Sequence, residues 1–134
     1  MIYLVIVSHG NLSESLVATS KMIVGKKERV FSIGLEPHGG SDNLIKKINR
    51  IISTAEPQSQ FLFMIDLIGG TPCTSCAQIL SCNKNIEIIT GVNLPMLLEV
   101  QLNLEKAKNV KELVELAFEK GKEGIIDVRD KLNI

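Results

Sequence analysis

The amino-acid sequence predicts a doubly wound α/β fold, in which helices cover both faces of one mostly parallel β-sheet. Three observations support this prediction. Short, continuously apolar runs at residues 1–7 and 61–65 are typical of central strands that are buried on both faces. Amphipathic helical patterns lie between these runs, and strands alternating with helices form parallel sheets through right-handed crossovers. The length of 134 residues fits a single domain spanning 1–134.

The first half of the chain contains three strand candidates and two helices. The five strand candidates in the whole chain are residues 2–8, 29–34, 60–66, 86–90 and, near the C-terminus, 124–128. Leu12, Leu16 and Ile23 repeat at helical spacing after the first strand, and Gly25 stands where a C-terminal cap belongs. Ser41 is the predicted N-cap of a second helix, whose apolar stripe is Leu44, Ile45, Ile48, Ile51 and Ile52.

The second half of the chain predicts three more helices. Pro72 opens a helix that continues through residue 80, because proline is favoured in a first helical turn. Asn93 and Pro95 begin the next helix. Asn109 and Glu112 resemble a capping box ahead of the last helix.

The strand order then predicts where function is found. In a flavodoxin-like order, 2-1-3-4-5, strands one and three are neighbours, and the helices after them leave toward opposite faces. That divergence opens a crevice at the carboxyl ends of the strands, where ligands bind in open α/β sheets. His9 ends the first strand and Asp66 ends the third. We therefore expect these two side chains to meet.

Composition excludes several classes of function. Lys and Arg total 15, as do Asp and Glu, so the basic excess of a nucleic-acid binder is missing and no such partner is expected. No segment reads as a leader peptide or membrane span, and three cysteines fit a reducing compartment, so we expect a cytoplasmic protein. One tyrosine and no tryptophan leave little material for a flavin site. Neither a cofactor nor a metal is expected.

His9 and Asp66 together predict nucleophilic chemistry. Neutral imidazole is a nucleophile near neutral pH, since its unperturbed pKa is about 6.5. A carboxylate on one ring nitrogen fixes the tautomer, leaves the other nitrogen free to attack, and stabilises the positive ring that results. The alternative interpretation is that His9 merely satisfies backbone groups in a turn.

The turn after the third strand, Gly69-Gly70-Thr71-Pro72, suits an anion. Two glycines allow the backbone to approach a ligand closely, and a helix N-terminus offers free N–H groups and a positive dipole end. Hydroxyl donors are expected from Thr71, Thr74 and Ser75. This arrangement fits a phosphoryl group carried on His9. The alternative is a tight strand-to-helix turn with a threonine cap.

The remaining reactive side chains are interpreted as structural. His38 follows the second strand, but no aspartate at a strand end is aligned with it, so it is interpreted as a loop histidine. Cys73, Cys76 and Cys82 are too few for a four-ligand zinc site and have no nearby histidine in the sequence. We interpret them as small packing residues along a helix.

Three motifs in this order carry a resemblance to a known family. They are Ser8-His9-Gly10, residues 66–72 (DLIGGTP) and residues 90–97 (TGVNLPML). Over essentially its whole length the chain resembles the IIA component of the mannose-family sugar phosphotransferase system, the branch that serves mannose, fructose and sorbose. The motifs are specific when taken together, whereas a His-Gly pair alone is not.

The resemblance implies a phosphocarrier. Enzyme I would charge the small protein HPr from phosphoenolpyruvate, and HPr would pass the phosphoryl group to His9. His9 would pass it to a IIB component, which phosphorylates sugar entering through a membrane permease. Asp66 would orient the ring, and residues 91–96 would help to shape the same edge. The implied phosphate-binding residues are Gly10, Gly69, Gly70 and Thr71.

The resemblance also implies a homodimer in which an antiparallel C-terminal strand, here residues 124–128, is exchanged between subunits. Two departures from the family pattern stand near the site: Cys73-Thr74 where Phe-Asn is common, and Pro37-His38-Gly39 where Pro-Gly-Glu is often found. Three alternatives remain open. They are a regulatory relative, the phosphotransfer subunit of dihydroxyacetone kinase, and a module that binds a small molecule in the crevice.

Overall fold

The computed structural model describes all residues, 1–134, as four β-strands and six α-helices. In chain order they are β1 (Ile2–His9), α1 (Leu12–Val24), β2 (Val30–Leu35), α2 (Ser41–Thr54), β3 (Gln60–Ile65), α3 (Thr71–Leu80), β4 (Ile86–Thr90), α4 (Leu94–Asn103), α5 (Val110–Glu123) and α6 (Val128–Leu132). None of the helices combines the length and the apolarity that crossing a membrane requires.

The strands form one sheet in the order β2-β1-β3-β4, and every neighbouring pair is parallel. β1 and β3 are therefore the central strands, with Val7 opposite Ile65 near their carboxyl ends. Both strands are almost wholly buried, which explains why their sequences are continuously apolar rather than alternating. The predicted parallel sheet and the pairing of strands one and three are confirmed.

Helices on both faces of the sheet enclose two separate cores. Successive strand residues point to opposite faces, so Leu4 and Ile6 belong to one core and Val5 and Val7 to the other. The first core is completed by buried side chains of α1, α4 and α5, which include Val17, Leu97 and Leu113. The second is completed by α2 and α3 through Leu44, Ile48 and Cys76. The doubly wound architecture is confirmed.

Asparagine caps begin α4 and α5, the first two helices after β4. Asn93 Oδ1 accepts the backbone N–H of Met96 at 3.0 Å, and Asn109 Oδ1 accepts that of Glu112 at 3.1 Å. The Glu112 carboxylate reaches back to the backbone N–H of Lys108 at 2.9 Å, one residue before the cap. Both predicted caps are confirmed, with the capping box closed on Lys108.

The predicted cap at the start of α2 was wrong by one residue. Gly40 is the N-cap and Ser41 is the first helical residue. The Ser41 hydroxyl instead lies 2.8 Å from the hydroxyl of Ser75 on the neighbouring helix α3, so a contact between helices takes the place of the cap. Gly25 does end α1, with a φ of 83° that suits glycine.

The strand predicted at residues 124–128 is not formed in the single chain. α5 ends at Glu123, residues 125–127 lack regular structure, and Val128 begins the short helix α6. Asp127 caps that helix by accepting the backbone N–H groups of Arg129 and Asp130. A strand needs a neighbouring strand to satisfy its backbone, and this segment leaves the sheet. Its exchange between subunits stays a prediction.

Candidate functional site

The carboxyl ends of the central strands bring His9 and Asp66 together. His9 is the last residue of β1, and Asp66 directly follows β3, where its backbone N–H still bonds to Val7 O at 3.2 Å. His9 Nδ1 lies 2.7 Å from Asp66 Oδ2, and the same oxygen accepts the His9 backbone N–H at 2.9 Å. The predicted meeting of the two side chains is confirmed. Their chemical roles stay a prediction.

Asp66 is held in its ionised form. Its side chain is only 8% exposed. Burial by itself would raise the pKa of this carboxyl group. The hydrogen bonds from the backbone and ring of His9 and from the backbone of Leu67 outweigh that effect and lower the pKa below its ordinary value of 3.8. Asp66 is therefore a carboxylate at neutral pH.

The ionised carboxylate decides which ring nitrogen of His9 is free. A carboxylate can only accept hydrogen bonds, so the 2.7 Å contact requires that His9 Nδ1 carries the proton. In the neutral ring, Nε2 then keeps its lone pair. The His9 side chain is 47% exposed, so a reactant can reach that nitrogen. This is the arrangement of a nucleophilic histidine with a carboxylate that orients it.

Gly70 lies against the ring of His9. A Cβ atom built on Gly70 would stand 2.7 Å from His9 Cε1 and 3.0 Å from Nε2. Gly70 is also the N-cap of α3, and no side chain caps that helix. The start of α3, with its unpaired N–H groups and the positive end of its dipole, therefore opens beside the free ring nitrogen. Thr71 begins the helix, one residue before the predicted start at Pro72, and its part in an anion site stays a prediction.

Two of the predicted hydroxyl donors do not serve this site. The Thr74 hydroxyl donates to Gly70 O at 3.1 Å. The Ser75 hydroxyl is fully buried and pairs with Ser41. Each hydroxyl already has a hydrogen-bond partner within the protein, so the prediction that Thr74 and Ser75 donate to a bound anion was wrong. Thr71 remains the one candidate of the three.

Glycines form the turns around the pair. Gly10 follows His9 with a φ of 54°, and its N–H bonds to Leu35 O at 2.8 Å. Gly69 has a φ of 89°, a backbone conformation that residues other than glycine rarely adopt. The structure therefore places both glycines in the turns that flank His9 and Gly70, where conformational freedom is required.

Ser8 supports the site in a way that the sequence analysis missed. Its fully buried hydroxyl accepts the backbone N–H of Ser13 at 2.7 Å, at the start of α1. Ser13 in turn donates its hydroxyl to Ile33 O at 3.0 Å on β2. These contacts fix the turn that follows His9. A buried polar residue inside an apolar strand was the available signal.

The other reactive side chains, His38 and the three cysteines, do not form a second cluster. His38 is exposed on the turn after β2. Cys73 is half-buried, Cys76 is buried and Cys82 is exposed, and all three are free thiols. Burial, helped by the nearby Cys73, raises the pKa of the Cys76 thiol to about 12. No three His, Cys, Asp or Glu side chains converge as metal ligands would.

Comparison with known proteins decides the family. The family model EIIA-man, described as "PTS system fructose IIA component", matches residues 3–118. The chain belongs to this family. His9 and Asp66, with the turn up to Thr71, lie inside the matched region.

Named relatives agree with this assignment. The Escherichia coli K12 protein "PTS system mannose-specific EIIAB component" is 34% identical over 130 residues, which is 97% of this chain but only 40% of that protein. The Bacillus subtilis protein "PTS system fructose-specific EIIA component" is 30% identical over 114 residues, 85% of this chain and 77% of that protein. The chain is thus a mannose-family EIIA component.

A solved structure from the same family shares the fold. The phosphotransferase system component EIIA from Streptococcus agalactiae superposes with a TM-score of 0.89 at 27% identity, covering 97% of this chain and 99% of that one. The EIIA architecture therefore extends over nearly all of the residues described here.

Proposed function

We propose that this EIIA chain is a phosphocarrier in which His9 accepts a phosphoryl group from phosphorylated HPr and passes it to a IIB component. The observation that carries the proposal is the 2.7 Å contact between His9 Nδ1 and the ionised Asp66. That contact leaves Nε2 as the nucleophile, and the ring lies at the open end of a parallel sheet. Residues 1–134 would act together as a single IIA domain.

The transfer needs no group beyond the two proteins. The Nε2 lone pair of His9 attacks phosphorus as the bond between phosphorus and the donor breaks, and the electron pair of that bond leaves with the donor. The His9 ring then carries a positive charge, because Nδ1 keeps its proton. Asp66 accepts that N–H and stabilises the charge. In the second step a nucleophile of the IIB component attacks phosphorus, the bond between phosphorus and Nε2 breaks, and its electron pair returns to Nε2, so that the His9 ring is neutral again.

The turn between β3 and α3 supplies the groups that would bind the phosphoryl oxygens. Backbone N–H groups of Gly70 and Thr71 lie at the uncapped start of α3, where an anion is favoured. Gly69 and Gly10 allow the backbone on either side of the ring to turn without a side chain in the way. No metal and no cofactor is assigned a role in this transfer.

The partners follow from the family. We infer that HPr, charged by enzyme I, is the donor and that a IIB component is the acceptor. Membrane permease subunits are indirect partners, because the IIB component phosphorylates the sugar that enters through them. The cytoplasm is where such partners meet. The name of the Escherichia coli relative joins A and B components, which supports IIB as the receiver.

A homodimer is the proposed assembly. The segment after α5 exposes apolar side chains that a partner subunit would cover. Ile125 is 80% exposed and Val128 is 64% exposed. Exchange of residues 124–128 between subunits would give these side chains a neighbour and would add the antiparallel strand that the single chain lacks.

Phosphoryl transfer from labelled phosphoenolpyruvate through enzyme I and HPr tests the proposal. Wild type and His38→Ala should take up acid-labile label, whereas His9→Ala should take up none although it still folds and unfolds cooperatively. Label on His9→Ala but not on His38→Ala would show that His38 is the acceptor and that the assignment of His9 is wrong. If wild type took no label from an HPr shown to be active, the carrier function itself would be rejected.

A further inference from the structure

One side chain, Asn93, joins the loop after β4 to two helices at once. Its Oδ1 accepts the backbone N–H of Met96 at 3.0 Å and so caps α4. Its Nδ2 donates to the backbone oxygen of Gly121 at 3.0 Å, in the last turn of α5. A helix cap needs only the first of these bonds. The second ties the end of α5 to the loop.

The same loop is bonded to the central strand that leads to the site. The backbone N–H of Val92, next to Asn93, donates to Ile65 O at 3.1 Å. Ile65 is the last residue of β3 and directly precedes Asp66. Asp66 in turn holds both the backbone and the ring of His9. A continuous series of hydrogen bonds and peptide links therefore runs from the end of α5 to His9.

The end of α5 packs so closely against the first turn of α4 that neither can move independently of the other. A Cβ atom on Gly121 would stand 2.8 Å from Met96 Cε, and one on Gly124 would stand 2.5 Å from Pro95 Cγ. The last turn of α5 and the first turn of α4 are thus in direct contact through the backbone of the two glycines. A shift of either element must be passed to the loop between β4 and α4.

We propose that Asn93 is a positioning residue for His9, which acts by fixing the loop before α4 against α5 and thereby the orientation of Asp66. Its consequence for phosphoryl transfer rests on the proposed carrier function. Asn93 touches no reacting atom. The bond from Asn93 Nδ2 to Gly121 O fixes the position of the neighbouring Val92, whose N–H bonds to Ile65 O. Asp66 is the next residue after Ile65, so its position depends on the same backbone.

An uncharged substitution, Asn93→Ser, tests the bond to Gly121 separately from the helix cap. Asn93→Ser keeps a hydroxyl that caps helices about as well as asparagine does, but it loses the amide N–H that reaches α5. Asn109→Ser is the matched control. Asn109 caps α5 with the same geometry, Oδ1 to Glu112 N at 3.1 Å, and lies outside the series that leads to His9.

Two measurements read the effect at His9. The first is the rate of phosphoryl transfer to His9 as a function of phospho-HPr concentration. The second is the set of ¹⁵N signals of the His9 ring followed through a pH titration of the unphosphorylated protein. A role confined to helix capping would leave both variants close to wild-type stability, because serine keeps the cap, and would move neither readout.

Asn93→Ser should lower the transfer rate at saturating HPr roughly two- to tenfold, the range set by one lost hydrogen bond. The HPr concentration at half-maximal rate should stay the same, and the ring signals of His9 should shift. Asn109→Ser should leave the transfer rate, the half-saturating HPr concentration and the His9 ring signals at wild-type values. Asn93→Asp, which also keeps the cap but repels Gly121 O, is the second variant should the serine variant fold poorly.

Wild-type ring signals and transfer rates in folded Asn93→Ser or Asn93→Asp would overturn the proposal. This outcome differs from failure of the carrier function, in which wild type itself would take no label. In that case the ring signals of His9 would still decide whether Asn93 positions the pair, because they are measured without phosphoryl transfer.

Discussion

Gly70→Ala should disturb the His9 ring while leaving the backbone acceptable. Gly70 has a φ of −86°, which alanine adopts without strain, so the effect of the substitution is steric. The added Cβ would stand 2.7 Å from His9 Cε1, whereas ordinary contacts begin near 3.4 Å. The ring is a half-exposed side chain, so it is the ring that must move, by roughly the 0.7 Å that separates these two distances.

That movement is large enough to cost the bond to Asp66. If it is directed away from the carboxylate, the Nδ1–Oδ2 distance of 2.7 Å lengthens to as much as about 3.4 Å, beyond the usual limit of about 3.2 Å. A hydrogen bond to a charged group contributes roughly 1.5–3 kcal/mol. If all of it is felt in the transition state, phosphoryl transfer to His9 slows by about one to two orders of magnitude.

Gly40→Ala provides the matched control for this prediction. Gly40 is the N-cap of α2 with a similar extended conformation, φ −102°, and a Cβ there would meet nothing within 4 Å. Both variants therefore replace a glycine cap by alanine, and only one crowds the ring. Transfer from phospho-HPr and the ¹⁵N signals of the His9 ring are the assays. Equal rates and unchanged ring signals in the two variants would refute the reasoning.

Two further predictions follow from the ionisable groups. Because the folded protein holds the pKa of Asp66 below 3.8, this carboxylate should stabilise the fold fully above that pH, and the stabilisation should be lost as the pH falls through the lowered value. The difference in unfolding free energy between wild type and Asp66→Asn, from denaturant titrations, should thus shrink below pH 3.8; a difference that persists at still lower pH would contradict it. With a pKa of about 12, buried Cys76 should be thiolate in only about one molecule in ten thousand at pH 8, so mass spectrometry should find iodoacetamide on exposed Cys82 long before Cys76. Equal labelling rates would show that the burial of Cys76 is transient.

The sequence was sufficient for the four strands of the sheet and for the meeting of His9 and Asp66, because both depend on simple constraints. Continuously apolar runs are typical of strands covered on both faces, as β1 and β3 are. β4 was predicted with its observed bounds, Ile86–Thr90. Once β1 and β3 are neighbours, residues that end them must lie at the same edge of the sheet. The pair follows from backbone topology, without any knowledge of side-chain packing.

Features that depend on a distant partner were beyond local patterns. Ser41 has the chemistry of a cap, but its hydroxyl is taken by Ser75 of another helix. Thr74 and Ser75 were assigned to the anion site, although their directions depend on how α3 is turned about its axis. The fifth strand was also wrong for the single chain, since residues 124–128 pair with none of the four strands of the sheet.

The same reasoning explains why aspartate suits position 66. One oxygen, Oδ2, accepts both the backbone N–H and the ring N–H of His9, at 2.9 and 2.7 Å. The backbone bond fixes this oxygen relative to β1, and the ring bond then fixes the ring relative to the oxygen. Neighbouring strands lie only about 4.8 Å apart, so a short side chain with only two rotatable bonds spans the gap. A longer acid would have to fold back on itself to make both bonds, at a cost in conformational entropy. The spacing of the two central strands and the loop before α4, which bonds to Ile65, therefore set the orientation of the free Nε2 together.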